Sequence, residues 1–291
     1  MDEFFIKEIV PEFFSGFGLL LKTGDDFYWR VEGTQILKTD KNFNIIWSKE
    51  FSKFLSSKMM LSTSTQGEFL ILASLRDSPA DSTGVMGIIR ISSSGNIIWQ
   101  KEYDINTTTS YNFLKVLSAD EYLVTIGEQL LVIDNNGIVL RRVSLYLINE
   151  EFHAEEIEVS GNRIYVIGDT SSNAERPLSV VVLDYQLNII TSFHYQIGVQ
   201  IDEIWYKPFA KMIGNVLLIT RQTKSEKVAL ALNTSNNLSI VEAFTFSKEI
   251  PQQTIVYNSS QVIYHDGIYY FRTPSSGDTV IHAFDSSFSL L

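Results

Sequence analysis

The chain has 291 residues, with 23 Lys+Arg against 34 Asp+Glu for a formal net charge of −11, and 45% hydrophobic residues, 12% of the chain being aromatic. That apolar fraction can bury a full core and excludes general disorder, while the absence of cysteine excludes a disulfide scaffold, a Cys-ligated zinc site and a thiol nucleophile. The acidity argues against nucleic acid as the main partner, because phosphate binding draws on clustered Lys and Arg.

At the N-terminus, Met1-Asp2-Glu3 precedes Phe4-Phe5-Ile6, without the positive region and long apolar run of a secretory leader. No stretch approaches the roughly 18 apolar residues of a membrane span. The expectation is a soluble chain, cytoplasmic if Met1 is the native start, or exported if a leader has been removed. Phe5-Ile6-Lys7-Glu8-Ile9 matches the strand endings Trp47-Ser48-Lys49-Glu50-Phe51, Trp99-Gln100-Lys101-Glu102-Tyr103 and Phe246-Ser247-Lys248-Glu249-Ile250.

From there a segment recurs six times: apolar-x-apolar, a turn residue, a short Asn/Ser/Gly turn, and another apolar strand. The first copy is Leu37-Lys38-Thr39-Asp40 before Asn44-Ile45-Ile46-Trp47, and the second Ile89-Arg90-Ile91-Ser92 before Asn96-Ile97-Ile98-Trp99. The third is Leu131-Val132-Ile133-Asp134 before Ile138-Val139-Leu140, and the fourth Val181-Val182-Leu183-Asp184 before Asn188-Ile189-Ile190. Fainter copies follow, with Asn233 ahead of Leu238-Ser239-Ile240-Val241 and Asp285 ahead of Phe288-Ser289-Leu290-Leu291. Each unit holds about four short strands without a 3.6-residue stripe, the pattern of one four-stranded propeller blade.

The fold class expected is all-β: a six-bladed β-propeller with four antiparallel strands per blade. The strand within residues 3–10 pairs into the last blade and closes the ring, which removes two exposed sheet edges. The blades run about 12–51, 57–103, 111–145, 155–195, 204–246, and 254–291 plus 3–10, one domain in all.

Gly67-Glu68-Phe69-Leu70-Ile71-Leu72-Ala73-Ser74 and the run from Gly87-Ile88-Ile89-Arg90-Ile91-Ser92 to Gly95-Asn96-Ile97-Ile98-Trp99-Gln100-Lys101 resemble the bacterial β-propeller repeat of the PQQ-like and related superfamilies. The resemblance covers essentially the whole chain but is close only in the second blade. It implies architecture and not activity, since these superfamilies share the one without the other.

Several motifs dissolve on inspection. Asp40-Lys41-Asn42-Phe43-Asn44 opens like an EF-hand loop, but Ile45 stands where that loop needs Gly and Phe51 where it needs the bidentate Glu. A hairpin turn capped by Asp40 is the reading that survives. Gly16-Phe17-Gly18 lacks the third glycine of a dinucleotide fingerprint, and no nucleophile elbow, HExxH or P-loop is present. His153, His194, His265 and His282 are far apart in sequence, and the strand positions of His194 and His282 suit packed or half-exposed imidazoles. No catalytic residue, metal ligand or cofactor is assigned.

Function is then expected in the loops. One face collects the blade-to-blade connections and the second-to-third strand loops, with insertions over Ile9–Ser15, Arg76–Val85, Asp104–Ser110, Leu147–Glu156, Asp169–Pro177 and Gly198–Tyr206. Candidate binding residues are Phe13 and Phe14; Glu150, Glu151, His153, Glu155 and Glu156 entering the fourth blade; and Asp202, Glu203, Trp205 and Tyr206 entering the fifth. Carboxylates steer association and Trp and Tyr anchor it, so the expected activity is a non-catalytic scaffold for another protein, one of basic character. The alternatives are a propeller hydrolase (lactonase or glycan-acting) with a channel-bound divalent cation, a carbohydrate-binding module, and a merely solvating acidic loop. Trp29, Trp47 and Trp99 are expected in the core between blades.

Overall fold

A computed structural model describes residues 19–22, 28–32, 34–42, 44–63, 67–78, 84–103, 113–126, 129–145, 152–170, 178–195, 209–222, 226–247, 262–265, 268–274 and 279–284. The chain forms two compact units, residues 1–144 and 145–291. The strand predicted over residues 3–10 lies outside the described residues.

The first unit holds three antiparallel sheets, each a four-strand meander. The first is β1 (Leu19–Lys22), β2 (Tyr28–Glu32), β3 (Gln35–Thr39) and β4 (Ile45–Glu50). The second is β5 (Phe54–Ser62), β6 (Phe69–Arg76), β7 (Val85–Ile91) and β8 (Ile97–Tyr103), and the third is β9 (Leu114–Val116), β10 (Glu121–Ile126), β11 (Gln129–Asp134) and β12 (Val139–Ser144). The second unit repeats the pattern with β13 (Phe152–Ser160), β14 (Arg163–Thr170), β15 (Leu178–Asp184) and β16 (Ile189–Tyr195). Its next sheet is β17 (Phe209–Ile213), β18 (Val216–Gln222), β19 (Glu226–Asn233) and β20 (Ser239–Ser247), followed by β21 (Val262–His265), β22 (Ile268–Pro274) and β23 (Thr279–Phe284). Among the described residues no helix is long and apolar enough to cross a membrane.

Packing explains the sequence pattern strand by strand. The second and third strands of a sheet are covered on both faces, so they read as unbroken apolar runs such as Phe69–Leu75. Phe69, Ile71 and Ala73 pack with Trp29, Val31 and Ile36 of the sheet before. Leu70 and Leu72 face the other way, onto Leu114, Tyr122, Val124 and Leu131 of the sheet after. In the second unit Tyr165, Ile167, Val180 and Val182 meet Leu217, Ile219, Leu230 and Leu232 likewise. Within each unit the first strands touch, β1 with β5, β5 with β9 and β13 with β17, whereas the fourth strands are the outer edges of their sheets among the described residues. Sheets fanned from converging first strands are propeller blades.

The recurring turn has one mechanism. In the second to fourth blades a residue accepts from the amide three places on, Ser92 from Gly95, Asp134 from Gly137 and Asp184 from Leu187, at 2.8–3.0 Å. The residue whose amide donates then has positive φ: Gly95 76°, Gly137 73°, Leu187 66°. This is a type I turn followed by a left-handed residue, and it forces the register shift at the end of each third strand. The Asp side chain completes it: Asp40 Oδ1 accepts from the amides of Asn42 and Asn44, and Asp134 Oδ1 from those of Asn136 and Ile138. Asp40 is therefore spent on its own turn, as the rejection of an EF-hand predicts.

The tryptophans lie between blades, as expected. Trp29 is fully buried, edge-on to Trp47 at 5.0 Å and tilted on Phe69 at 4.5 Å. Trp47 covers Gly95 so closely that a Cβ there would fall inside the indole, and Trp99 covers Gly137 in the same way. Glycine is thus required twice over, by positive φ and by the close approach. Trp99 Nε1 and Arg90 Nη1 both donate to the Asn135 carbonyl at 2.7 Å, while Lys38 Nζ reaches the Ser93 carbonyl at 3.1 Å.

Candidate functional site

Of the predicted binding residues, Phe13, Phe14, Glu150, Glu151, Asp202, Glu203, Trp205 and Tyr206 lie outside the described residues. His153, Glu155 and Glu156 lie inside them, and here the sequence reading is corrected. The span Leu147–Glu156 is not all loop, because β13 begins at Phe152 and carries all three residues. The alternation Glu156-Ile157-Glu158-Val159 is the period-2 signal of a strand with Ile157 fully buried.

A bulge shapes this strand. Ala154 pairs with Gly168 and Glu156 with Ile167, so Glu155 is an extra residue with no cross-strand position. The bulge turns Glu155 into the protein, where it is 7% exposed, while Glu156 stays half-buried. Glu155 is therefore no part of a solvated acidic loop. Glu156 Oε1 accepts from the Ile157 amide at 3.0 Å.

Glu158, which the sequence reading passed over, is 9% exposed, and its Oε2 accepts from the Met212 amide on β17 at 3.1 Å. A buried carboxylate on a backbone donor is a charge-assisted bond, here tying the first strands of two neighbouring blades. Its partner is remote in sequence, so only the strand alternation could have flagged it.

The chemistry available on β13 is that of acceptors. Among the described residues no group of three His, Cys, Asp or Glu is placed to hold a metal. His194 lies on β16 with Nδ1 2.8 Å from the Oγ of Ser179, its cross-strand neighbour on β15. Ser179 is fully buried and His194 exposed, so the pair is a cross-strand contact at the surface of this sheet.

Two other groups of shifted residues are structural. The Asn44 amide groups on Asp40 and those of Asn188 on Asp184 hold both exposed carboxyls below their usual range. Burial pushes Tyr103 and Tyr195 up to about 12. Their hydroxyls donate to the next blade's turn, Tyr103 to the Gly137 carbonyl at 3.1 Å and Tyr195 to that of Leu238 at 2.7 Å.

No family model matches the chain, and no curated protein sequence does. Solved structures do match in fold. The WD40 domain of Neurospora crassa Pan2 aligns over 92% of this chain and 76% of its own at a TM-score of 0.54 and 13% identity. BBS1N in complex with ARL6DN aligns over 94% of this chain and 75% of its own, at 0.52 and 10%. A eukaryotic initiation factor gives 0.55 and 9% over 94% of this chain, which spans only 63% of that protein. These neighbours are β-propeller proteins, and the likeness establishes a propeller fold.

Proposed function

We propose that the chain is a non-catalytic propeller scaffold that binds another protein through its loop face, with Glu150, Glu151, Asp202 and Glu203 steering a basic partner and Phe13, Phe14, Trp205 and Tyr206 anchoring it. The observation that carries this reading is the footing of the acidic run: residues 149–151 lead directly into β13, whose Glu155 is buried and whose Glu158 is fastened to the neighbouring blade. The fold suits the role, since BBS1N, a propeller of this kind, is seen in complex with ARL6DN. Glu155 and Glu156 belong to the support, so the sites to change are Glu150, Glu151, Asp202 and Glu203. Exchanging these four for Gln or Asn should abolish capture of basic proteins from cell extract at low salt, and an unchanged set of captured proteins would refute the patch.

The same reading takes the ring as six blades closed by the N-terminal strand. Its support is the sixth sheet, in which three strands are described and β23 is an edge, together with the likeness of Phe5–Ile9 to fourth-strand endings. Removing residues 1–10 should lower the melting temperature by several degrees, because it would expose two edges; an unaltered melt would rule closure out.

A further inference from the structure

The fourth strands share an unexpected feature. Each presents a pair of aliphatic residues just after the turn: Ile45-Ile46, Ile97-Ile98, Val139-Leu140, Ile189-Ile190 and Ile240-Val241, all between 39% and 63% exposed. A free edge bearing exposed aliphatics is a template for another strand, and charges along the edge decide which strand it accepts. On β4 and β8 the pair is followed by charges of both signs, Lys49-Glu50 and Lys101-Glu102. On β12 it is followed by Arg141-Arg142, with no acid on the strand. In a protein of net charge −11, this edge is locally cationic.

The surface beside it is a cleft. Between β8 and β12 lies an open space of about 580 Å³ lined by Glu102, Tyr103, Leu131, Val139, Leu140 and both arginines. Tyr103 is a fixed wall, its hydroxyl engaged by the Gly137 carbonyl. Arg141 is held by Glu121, Nη2 to Oε2 at 2.7 Å, and its buried Nε has no hydrogen-bond partner. Arg142 sits across from Leu131, is exposed, and makes no ion pair or hydrogen bond among the described residues. A cleft with aliphatic and cationic walls, a strand edge unpaired among the described residues and an exposed guanidinium fit one occupant.

We propose that the edge of β12 docks an extended acidic segment of another protein, which adds to the third blade as a fifth strand. Main-chain hydrogen bonds to the edge supply affinity, aliphatic side chains of the segment cover Val139 and Leu140, and a carboxylate engages Arg142. Complementary charge selects acidic over basic segments. This proposal invokes other residues and the opposite charge, so it and the proposed loop patch can each fail without the other.

The test uses the full chain and a fluorescein-labelled peptide of four Val-Glu repeats, with a Val-Lys counterpart and a version N-methylated at alternate amides. By anisotropy, the acidic peptide should bind, the basic one should not, and N-methylation should remove binding by blocking strand addition. Arg142→Glu should weaken the acidic peptide by about tenfold or more, the loss of one charge-assisted hydrogen bond. Leu140→Glu, also at an exposed position, should weaken it independently, and both variants should melt as the parent does. The proposal is overturned if Arg142→Glu binds within about twofold of the parent, if the basic peptide binds equally well, or if the N-methylated peptide is unaffected.

Discussion

The two units join their blades with different chemistry. In the first unit, indoles lie on glycines, Trp47 on Gly95 and Trp99 on Gly137, with Lys38 and Arg90 reaching the same turns. In the second, Thr191 stands where the tryptophan would be and Leu187 where the glycine would be, at φ 66°. Its fourth and fifth blades keep the tyrosine bond, Tyr195 on the Leu238 carbonyl as Tyr103 on that of Gly137, and in place of the indole add Glu158 on the Met212 amide. The blade thus keeps its geometry and its tyrosine tie while the rest of its fastening changes from aromatic cover to a polar bond. The capped turn is what both units keep, since it alone sets the bulge and the direction of the fourth strand.

The largest effect that would break this contrast is at Gly95. Gly95→Ala must adopt positive φ and also displace Trp47, for a combined cost of about 2–4 kcal/mol. Gly161→Ala also sits at positive φ, but nothing lies within 4 Å of its added Cβ, so only about 1–2 kcal/mol is lost. Denaturant melts of the two variants should differ by the cost of moving the indole, and equal losses would deny that Trp47 fastens the blades. Next comes Glu158→Ala, which leaves the half-buried Met212 amide without this acceptor and should cost about 1.5–3 kcal/mol, with Glu158→Gln recovering part of it. Recovery would identify the hydrogen bond, and not the charge, as the tie.

The smallest effects are those of pH. Asp40 and Asp184 have depressed carboxyl pKa values in the folded state, so their contribution is present above the ordinary carboxylate range and is lost as pH falls through the folded values. Asp40→Asn with Asp184→Asn should flatten the acid limb of the melting profile. Tyr103 and Tyr195 run the other way: with folded values raised to about 12, their contribution is complete below the ordinary tyrosine value and fades as pH climbs from there toward 12. Phe at both positions should flatten the alkaline limb.

The same contrast explains what the sequence makes legible. The second blade shows the repeated pattern most plainly because Trp99, Gly95 and Ser92 are visible signals of a turn and its cover. The later blades are fainter because Thr191 and Leu187 occupy the equivalent places without a recognisable residue type. The loop candidates were legible as composition, an acidic run beside aromatics. The burial of Glu155 was not, because a bulge is set by pairing with β14, where Gly168 and Ile167 take up Ala154 and Glu156 and leave Glu155 over. Nor was the cationic edge of β12, since Arg141-Arg142 becomes unusual only once β4 and β8 are seen to carry an acid beside their base.

The scaffold reading is tested most directly by titrating a captured basic partner into the parent and into the protein neutralised at Glu150, Glu151, Asp202 and Glu203, at low and high salt. Steering by exposed carboxylates predicts an affinity that falls as salt rises and falls again on neutralisation, with the salt dependence largely gone in the variant and the melt unchanged. An affinity indifferent to both salt and the four substitutions would contradict it.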